Sequence, residues 1–369
     1  MPAISIKNNL GKPVKIIDIR STDDEPGLRE YEISLVRLLD KITNGTVVEL
    51  NQTGTSLYYQ PGLLFGGKVE HECSLQRGIG YYLEVLLTVG IFCKCPLHVT
   101  LRGVTNNNID PSVDHYKSSG LSTLRQFVLD DEGLDIKIRN RGMLPLGGGE
   151  VVFRCPVRKY LRPVQLRESG MVKRIRGTVY ALRVSPAIAN RIVESAKGVL
   201  LKFIPDVYIH TDQCRGRHSG RSPGFGVHLF AETTTGLCYS AEQVSSVVCE
   251  GQMPVSPESL GTQAAHRLLQ EIYHGGCTDS AFQALAVMCM TLGQKDVSSC
   301  VTGPLSEYTV ACLQHIREYF GVTFKLEHLA TMDKDDDDDD DEKRIVRGAD
   351  KVLMTCVGIG YTNLNKKNI

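Results

Sequence analysis

The chain has 369 residues, 42 Lys and Arg against 42 Asp and Glu, a formal net charge of zero, 42% hydrophobic residues and no tryptophan. That length is enough for one large core or two to three domains, and the even charge excludes a uniformly basic nucleic-acid binder. No apolar run reaches the roughly 18 residues of a membrane span, and the opening MPAISIKNNLGKP has no apolar secretory-signal region, so neither is expected.

The predicted elements repeat a pattern. Residues 13–19 (PVKIIDI) alternate and are β-rich, which predicts a strand. Arg20 and a polar turn ending at Pro26-Gly27 lead into Leu28, Ile33, Leu35, Val36, Leu38, Leu39 and Ile42, the spacing of a helix over 28–42. Strands at 46–50 and 57–60 follow, then turns at Pro61-Gly62 and Gly66-Gly67. After an apolar helix at 80–92, a second copy begins. It has a strand at 97–101, Arg102, a polar turn to Pro111 and a helix through Leu121, Leu124, Phe127 and Val128. Strands at 134–138 and 150–155, joined by the turn Gly147-Gly148-Gly149, close it. After another apolar helix at 281–292, a third copy starts near Ser298. It has a helix through Tyr308, Val310, Leu313, Ile316 and Phe320, and strands at 322–326 and 352–357. The implied unit is a helix pair on a four-stranded sheet, present three times, an α/β fold of the α+β type.

A different segment lies between copies two and three. Ser185-Pro186 opens a helix, strands are expected at 206–210, 226–232 and 236–240, and a helix at 260–273 leads back. The expected domains are a first repeat over 1–70, a second over 71–181, an inserted α/β domain over 182–270 and a third repeat over 271–369. The acidic run Asp335–Asp341 lies in a loop at 333–344; adjacent like charges repel, so disorder is expected there.

Charge is the clearest local signal. Between Lys137 and Arg176 there are eleven cations, including Arg139, Arg141, Arg154, Arg158, Lys159, Lys173, Arg174 and Arg176, against Glu150 and Glu168 alone. Such density predicts a polyanion-binding surface. A second basic segment, CRGRHSGRSPGFG from residue 214, contributes Arg215, Arg217 and Arg221. Gly147–Gly149 lacks the Lys-Ser/Thr of a phosphate loop and lies between strands, so it reads as a tight turn. The twelve cysteines are scattered without a CxxC pair, which predicts buried reduced thiols of a cytosolic or nuclear protein. The ten histidines fall in no metal or nucleophile motif; no metal site and no cofactor are expected.

Several segments together resemble the RNA 3′-terminal phosphate cyclase superfamily. They are PGLR from Pro26, NQTGT from Asn51, YQPG from Tyr59, RGIGYYLE from Arg77, LRGVTN from Leu101 and GGGEVV from Gly147. KRIRG from Lys173, SPGFG from Ser222 and GIG from Gly358 continue the match, which runs from about residue 11 to the end. It is closer to the cyclase-like branch than to true cyclases. The implied fold is three repeats like the C-terminal domain of a bacterial translation initiation factor, with one inserted α/β domain. Relative to that branch the start of the first repeat departs, so an exposed sheet edge or an uncovered helix-packing face is expected there.

True cyclases carry a histidine that is adenylylated by ATP. The resemblance places that position at Glu307, within Gly303-Pro304-Leu305-Ser306-Glu307, and the family's acid-glutamine pair at Phe282-Gln283. Of the family's two arginines after the first strand, one matches Arg20 and the other falls on Asp23. The ATP site therefore reads as dismantled. The resemblance implies a nuclear, nucleolar protein of the small-subunit processome, acting in early pre-rRNA processing without cyclase activity. Its implied partners are pre-rRNA, a box C/D small nucleolar ribonucleoprotein and a ribosome-assembly GTPase. Arg20, Arg77 and Arg102 join the basic residues above as expected RNA or partner contacts. The rival readings are a site-specific pre-rRNA endonuclease, with Arg347, Asp350 and Lys351 as its candidates, and an ATP-dependent cyclase.

Overall fold

In this computed structural model, residues 13–245, 255–329 and 350–363 are described. The first repeat comprises β1 (Val14–Ile16), α1 (Glu30–Ile42), β2 (Thr43–Asn44), β3 (Val47–Leu50), β4 (Leu57–Gln60) and β5 (Leu63–Leu64). Its antiparallel sheet has the order β1-β4-β3. Leu35, Leu38, Leu39 and Ile42 recur at helical spacing and are fully buried, which is why α1 packs down on this sheet. Arg20 and Glu32 fix the helix start. The guanidinium makes two bonds to the carboxylate, at 2.8 and 2.7 Å, and the Arg29 N–H donates to Glu32 Oε2 at 2.8 Å.

The second repeat shows the unit in full. It runs β6 (Gly67–Glu72), α2 (Ile79–Val89), β7 (Leu97–Gly103), α3 (residues 113–125, with a wider turn at Tyr116–Gly120), β8 (Asp135–Asn140) and β9 (Gly149–Cys155). The sheet order is β6-β7-β9-β8, with β6 and β7 parallel and the other pairs antiparallel. Every residue of α2 except Glu84 is buried. Strand β6 straddles the expected boundary at residue 70. Its sequence GKVEHE alternates a buried Val69 and His71 with charged residues, a pattern too polar to stand out.

The third repeat begins earlier than expected, with β10 (Gln165–Leu166). The inserted domain follows: β11 (Val172–Leu182), α4 (Pro186–Leu200), β12 (Val207–Cys214), β13 (Gly224–Thr233), β14 (Cys238–Val244) and α5 (Pro257–His274). Then α6 (Gln283–Leu292), β15 (Val297–Thr302), α7 (Glu307–Phe320), β16 (Lys325–Leu329) and β17 (Lys351–Val357) complete the repeat. Its order, β10-β15-β17-β16, reproduces that of the second repeat strand for strand.

The expected limit at 181/182 is corrected by β11. This strand pairs along its length with β12 and β13, so it belongs to the inserted sheet β12-β11-β13-β14. The insertion therefore starts near residue 172, and the basic residues Lys173, Arg174 and Arg176 lie on it. Its separate core includes Ile175, Val179, Ile192, Leu229, Leu260 and Leu268, whereas the three repeats share one core. A small cluster of Met143, Tyr180, Leu182, Cys214 and Val244 joins the two. The acidic run 335–341 lies outside the described residues. Among the described residues every cysteine is a free thiol, and no helix is long and apolar enough to cross a membrane.

Candidate functional site

A cleft of about 430 Å³ opens between the second and third repeats. Its walls are α2, the loop before α3, α6 and the start of α7, and its lining includes Arg77, Glu84, Asp110, Phe282, Ser306 and Tyr308. Gln283 sets the geometry of α7. Its Oε1 accepts from the Ser306 N–H at 3.1 Å and the Thr309 hydroxyl at 3.1 Å, and its amide donates to the Pro304 carbonyl at 3.0 Å. Ser306 caps the helix by accepting from the Thr309 N–H at 3.2 Å. Glu307 is then the first helical residue, exposed, where a carboxylate suits the positive end of the helix dipole.

Across the cleft, Arg77 is clamped rather than offered to a ligand. Its Nε donates to Asp110 at 2.9 Å, the Gly78 N–H donates to the same carboxylate at 2.7 Å, and the guanidinium lies 4.5 Å from the Tyr81 ring centre. Glu84 is bonded by the Tyr308 hydroxyl, and burial pushes its carboxyl above the usual range. The cleft therefore presents an apolar floor, a carboxyl whose pKa burial raises and a paired arginine. Among the described residues no histidine lines it.

A buried polar network ties the modules together where no sequence motif pointed. Helix α3 brings Asp114, His115, Ser118 and Ser119 against the inserted sheet. His115 meets Asp279 at 3.0 Å through Nε2 and Glu242 at 3.6 Å through Nδ1. Burial opposes the imidazolium, but the two carboxylates outweigh it and raise the group to about 10. His228, 2.9 Å from the Ser118 hydroxyl, is depressed to about 4, chiefly by burial. The signal that could have found it is a polar stripe, Asp114, His115, Ser118, Ser119 and Ser122, at helical spacing along α3.

Arg141 contradicts the expected RNA surface most directly. It is 5% exposed and pairs with Asp114 at 2.6 Å and Asp212 at 2.7 Å. Burial alone would raise the Asp114 carboxyl, but Arg141 overrides it and holds the group well below the usual carboxylate range. Arg141 is thus a tie between the second repeat and the insertion.

Most of the other predicted cations are also paired. Arg20 meets Glu32, Arg77 meets Asp110, and Arg102 meets Glu70, Glu72 and Glu150. Arg139 shares Glu150, while Arg158, Arg174 and Arg176 take Asp130, Glu232 and Asp206. Four of the eleven cations between residues 137 and 176, Arg141, Arg158, Arg174 and Arg176, are therefore matched by acids distant in sequence and adjacent in space. Arg154 and Lys173 are exposed on β9 and β11. Lys159 accepts the Asn363 N–H through its carbonyl at 2.8 Å.

The two glycine-rich segments meet. The Arg221 N–H donates to the Gly147 carbonyl at 3.0 Å, and the Ser222 hydroxyl accepts from the Leu146 N–H at 2.9 Å. Gly147 and Gly148 have φ of 60° and 88°, so the turn between β8 and β9 needs glycine for conformation. Arg221 is exposed beside it, and Arg215 bonds Gln213 at 3.2 Å. The Arg217 side chain and Arg347 lie outside the described residues. Asp350 sits 3.4 Å from His328, and Lys351 opens β17. Among the described residues no three ligating side chains converge as a metal site.

Fold and cleft define a class: two β/α repeats of one topology, a first repeat that shows one helix and a three-stranded sheet among the described residues instead of the expected helix pair on four strands, an α/β domain inserted into the last repeat, and a ligand-sized cleft near the start of its final helix. The chain belongs to the RNA 3′-terminal phosphate cyclase family, whose model matches residues 3–326. It is 60% identical over 361 residues to a probable RNA 3′-terminal phosphate cyclase-like protein of Drosophila melanogaster, covering 97% of this chain and 92% of the relative. The human RNA 3′-terminal phosphate cyclase-like protein is 56% identical over 356 residues, covering 96% and 92%. The rRNA processing protein rcl1 of Schizosaccharomyces pombe is 40% identical over 361 residues, covering 97% and 93%.

Proposed function

We propose that this chain is a nucleolar factor of small-ribosomal-subunit biogenesis, acting in early pre-rRNA processing within the small-subunit processome and without cyclase activity. The observation that carries this reading is Glu307, exposed as the first residue of the Gln283-pinned helix α7, at the position where the resemblance places a cyclase's adenylylated histidine. A cyclase needs a nucleophile that forms a durable adenylate. A carboxylate gives a mixed anhydride with AMP, which water hydrolyses readily. The rRNA-processing name of the fission-yeast relative supports the role in ribosome assembly. Pre-rRNA, a box C/D small nucleolar ribonucleoprotein and a ribosome-assembly GTPase are its proposed partners, with Arg154, Lys173, Arg215 and Arg221 as exposed cations available to them.

The test is incubation of the purified chain with ATP labelled at the α-phosphate, alongside binding and cleavage assays on a pre-rRNA fragment. RNA binding with no label on the protein and no cut is the expected result. Label that Glu307→Gln abolishes would restore the cyclase reading. A specific cut lost in Asp350→Ala/Lys351→Ala would replace the scaffold reading with a nuclease.

A further inference from the structure

A second, smaller cleft of about 270 Å³ lies between α1 and the edge of the second repeat's sheet, lined by Ser34, Arg37, Lys41, Glu70, His71, Glu72 and Arg102. Ser34, Arg37 and Lys41 sit at i, i+3 and i+7, on one face of α1. Arg37 is exposed and makes no hydrogen bond or ion pair among the described residues. Lys41 gives its ammonium only to the Glu70 carbonyl, at 2.8 Å. The carboxylates of Glu70 and Glu72 are turned to Arg102, at 3.0 and 3.1 Å. Two like charges four residues apart on a helix oppose each other, and among the described residues neither Arg37 nor Lys41 has an ion-pair partner.

The cleft also holds a polar group that the fold leaves unsatisfied. His71 is 5% exposed; its Nε2 meets the Ser34 hydroxyl at 2.9 Å, and its buried Nδ1 has no partner. Burial, aided by Lys41 and Arg37 and opposed by Glu72, depresses it to about 4, so the ring is neutral and one ring nitrogen carries a hydrogen. When Ser34 donates to Nε2, Nδ1–H is a buried donor beside two cations. Guanidinium, ammonium and a ring N–H together form a donor set for phosphate oxygens.

We propose that this cleft is a phosphate subsite, taking one phosphodiester of bound RNA on Arg37 and Lys41 with His71 as the inner donor. The assignment rests on the RNA-binding reading above and adds a location to it. It lies on the first repeat's helix, away from the basic stretch that the sequence advertises.

The test is titration of a fluorescent single-stranded RNA with the full chain over a range of salt. Arg37→Gln/Lys41→Gln is compared with wild type and with Lys202→Gln/Arg317→Gln, which removes the same charge from exposed sites elsewhere. The cleft variant should bind roughly tenfold more weakly at low salt. Its plot of log affinity against log salt should be shallower by about 0.7 for the lost phosphate contact. The control should keep the wild-type slope, and both variants should keep the wild-type melting midpoint. An equal loss in the two variants, or no loss in the cleft variant, overturns the subsite while RNA binding stands. A wild-type chain that binds no RNA overturns the underlying reading instead. Polyglutamate bound through Arg37 and Lys41, with no RNA bound, overturns the phosphate assignment.

Discussion

The second and third repeats share one topology and differ in one connection. From β6 the chain passes directly to α2, and the parallel partner strand β6 is six residues long. From β10 it leaves for the whole inserted domain before returning to α6, and β10 is only two residues long. Both crossover helices are nonetheless buried almost throughout, α2 except Glu84 and α6 except Ala284. The insertion is tolerated because lengthening a connection costs loop-closure entropy only logarithmically. The layers that hold the repeat, helix pair on sheet, are closed by other strands. What the insertion adds is a new interface, which sets the buried polar ties of Arg141 and His115 beside the apolar cluster around Met143.

The largest expected effect breaks that interface. Arg141→Ala leaves Asp114 buried without its cation and should cost about 3–5 kcal/mol in urea unfolding. A loss below about 1 kcal/mol would show that the insertion is held by the apolar cluster around Met143 instead. Next comes pH. The folded-state value of His115 is raised to about 10 from an unfolded value near 6.5, so its contribution is complete below about 6.5 and is lost as pH rises toward 10. His71 and His228 act in the opposite sense. Depressed to about 4, they contribute above about 6.5 and lose that contribution as pH falls toward 4. Thermal unfolding of His115→Gln should therefore lack much of the alkaline decline seen in wild type; an unchanged decline would assign it to other groups.

The smallest effect sharpens the likeness of the repeats. Ser112 caps the start of α3 by accepting from the His115 N–H at 3.2 Å, as Ser306 caps α7. Ser112→Ala and Ser306→Ala should each cost roughly 0.5–2 kcal/mol, with the fully buried Ser112 at the upper end. Equal losses would make the caps energetically interchangeable between the two repeats.

The helices were legible because their apolar residues recur at 3.6 spacing and punctuation such as Ser185-Pro186 marks a start. Strands β7, β9 and β17 were legible from alternation or apolar runs. Strand β6 was missed because its outward residues are Lys68, Glu70 and Glu72, and β11 because Lys173, Arg174 and Arg176 drew attention to charge over pairing. The candidate cleft was half legible. The resemblance pointed to Glu307 and Gln283 at the α7 start beside it, while the lining residues Glu84, Arg77 and Tyr308 meet only when two repeats pack together.

The amino-acid sequence by itself determined the repeated unit, its family and the absence of histidine at the start of α7, because local periodicity and motif identity are properties of neighbouring residues. Tertiary structure alone decided which charges are available. Asp114, Asp130, Asp206, Asp212 and Glu232 lie far along the chain from the arginines they neutralise, and Coulomb attraction depends on separation in space. The same reason leaves Arg37 and Lys41, unremarkable in sequence, as a pair of cations without a carboxylate partner among the described residues, beside a buried imidazole.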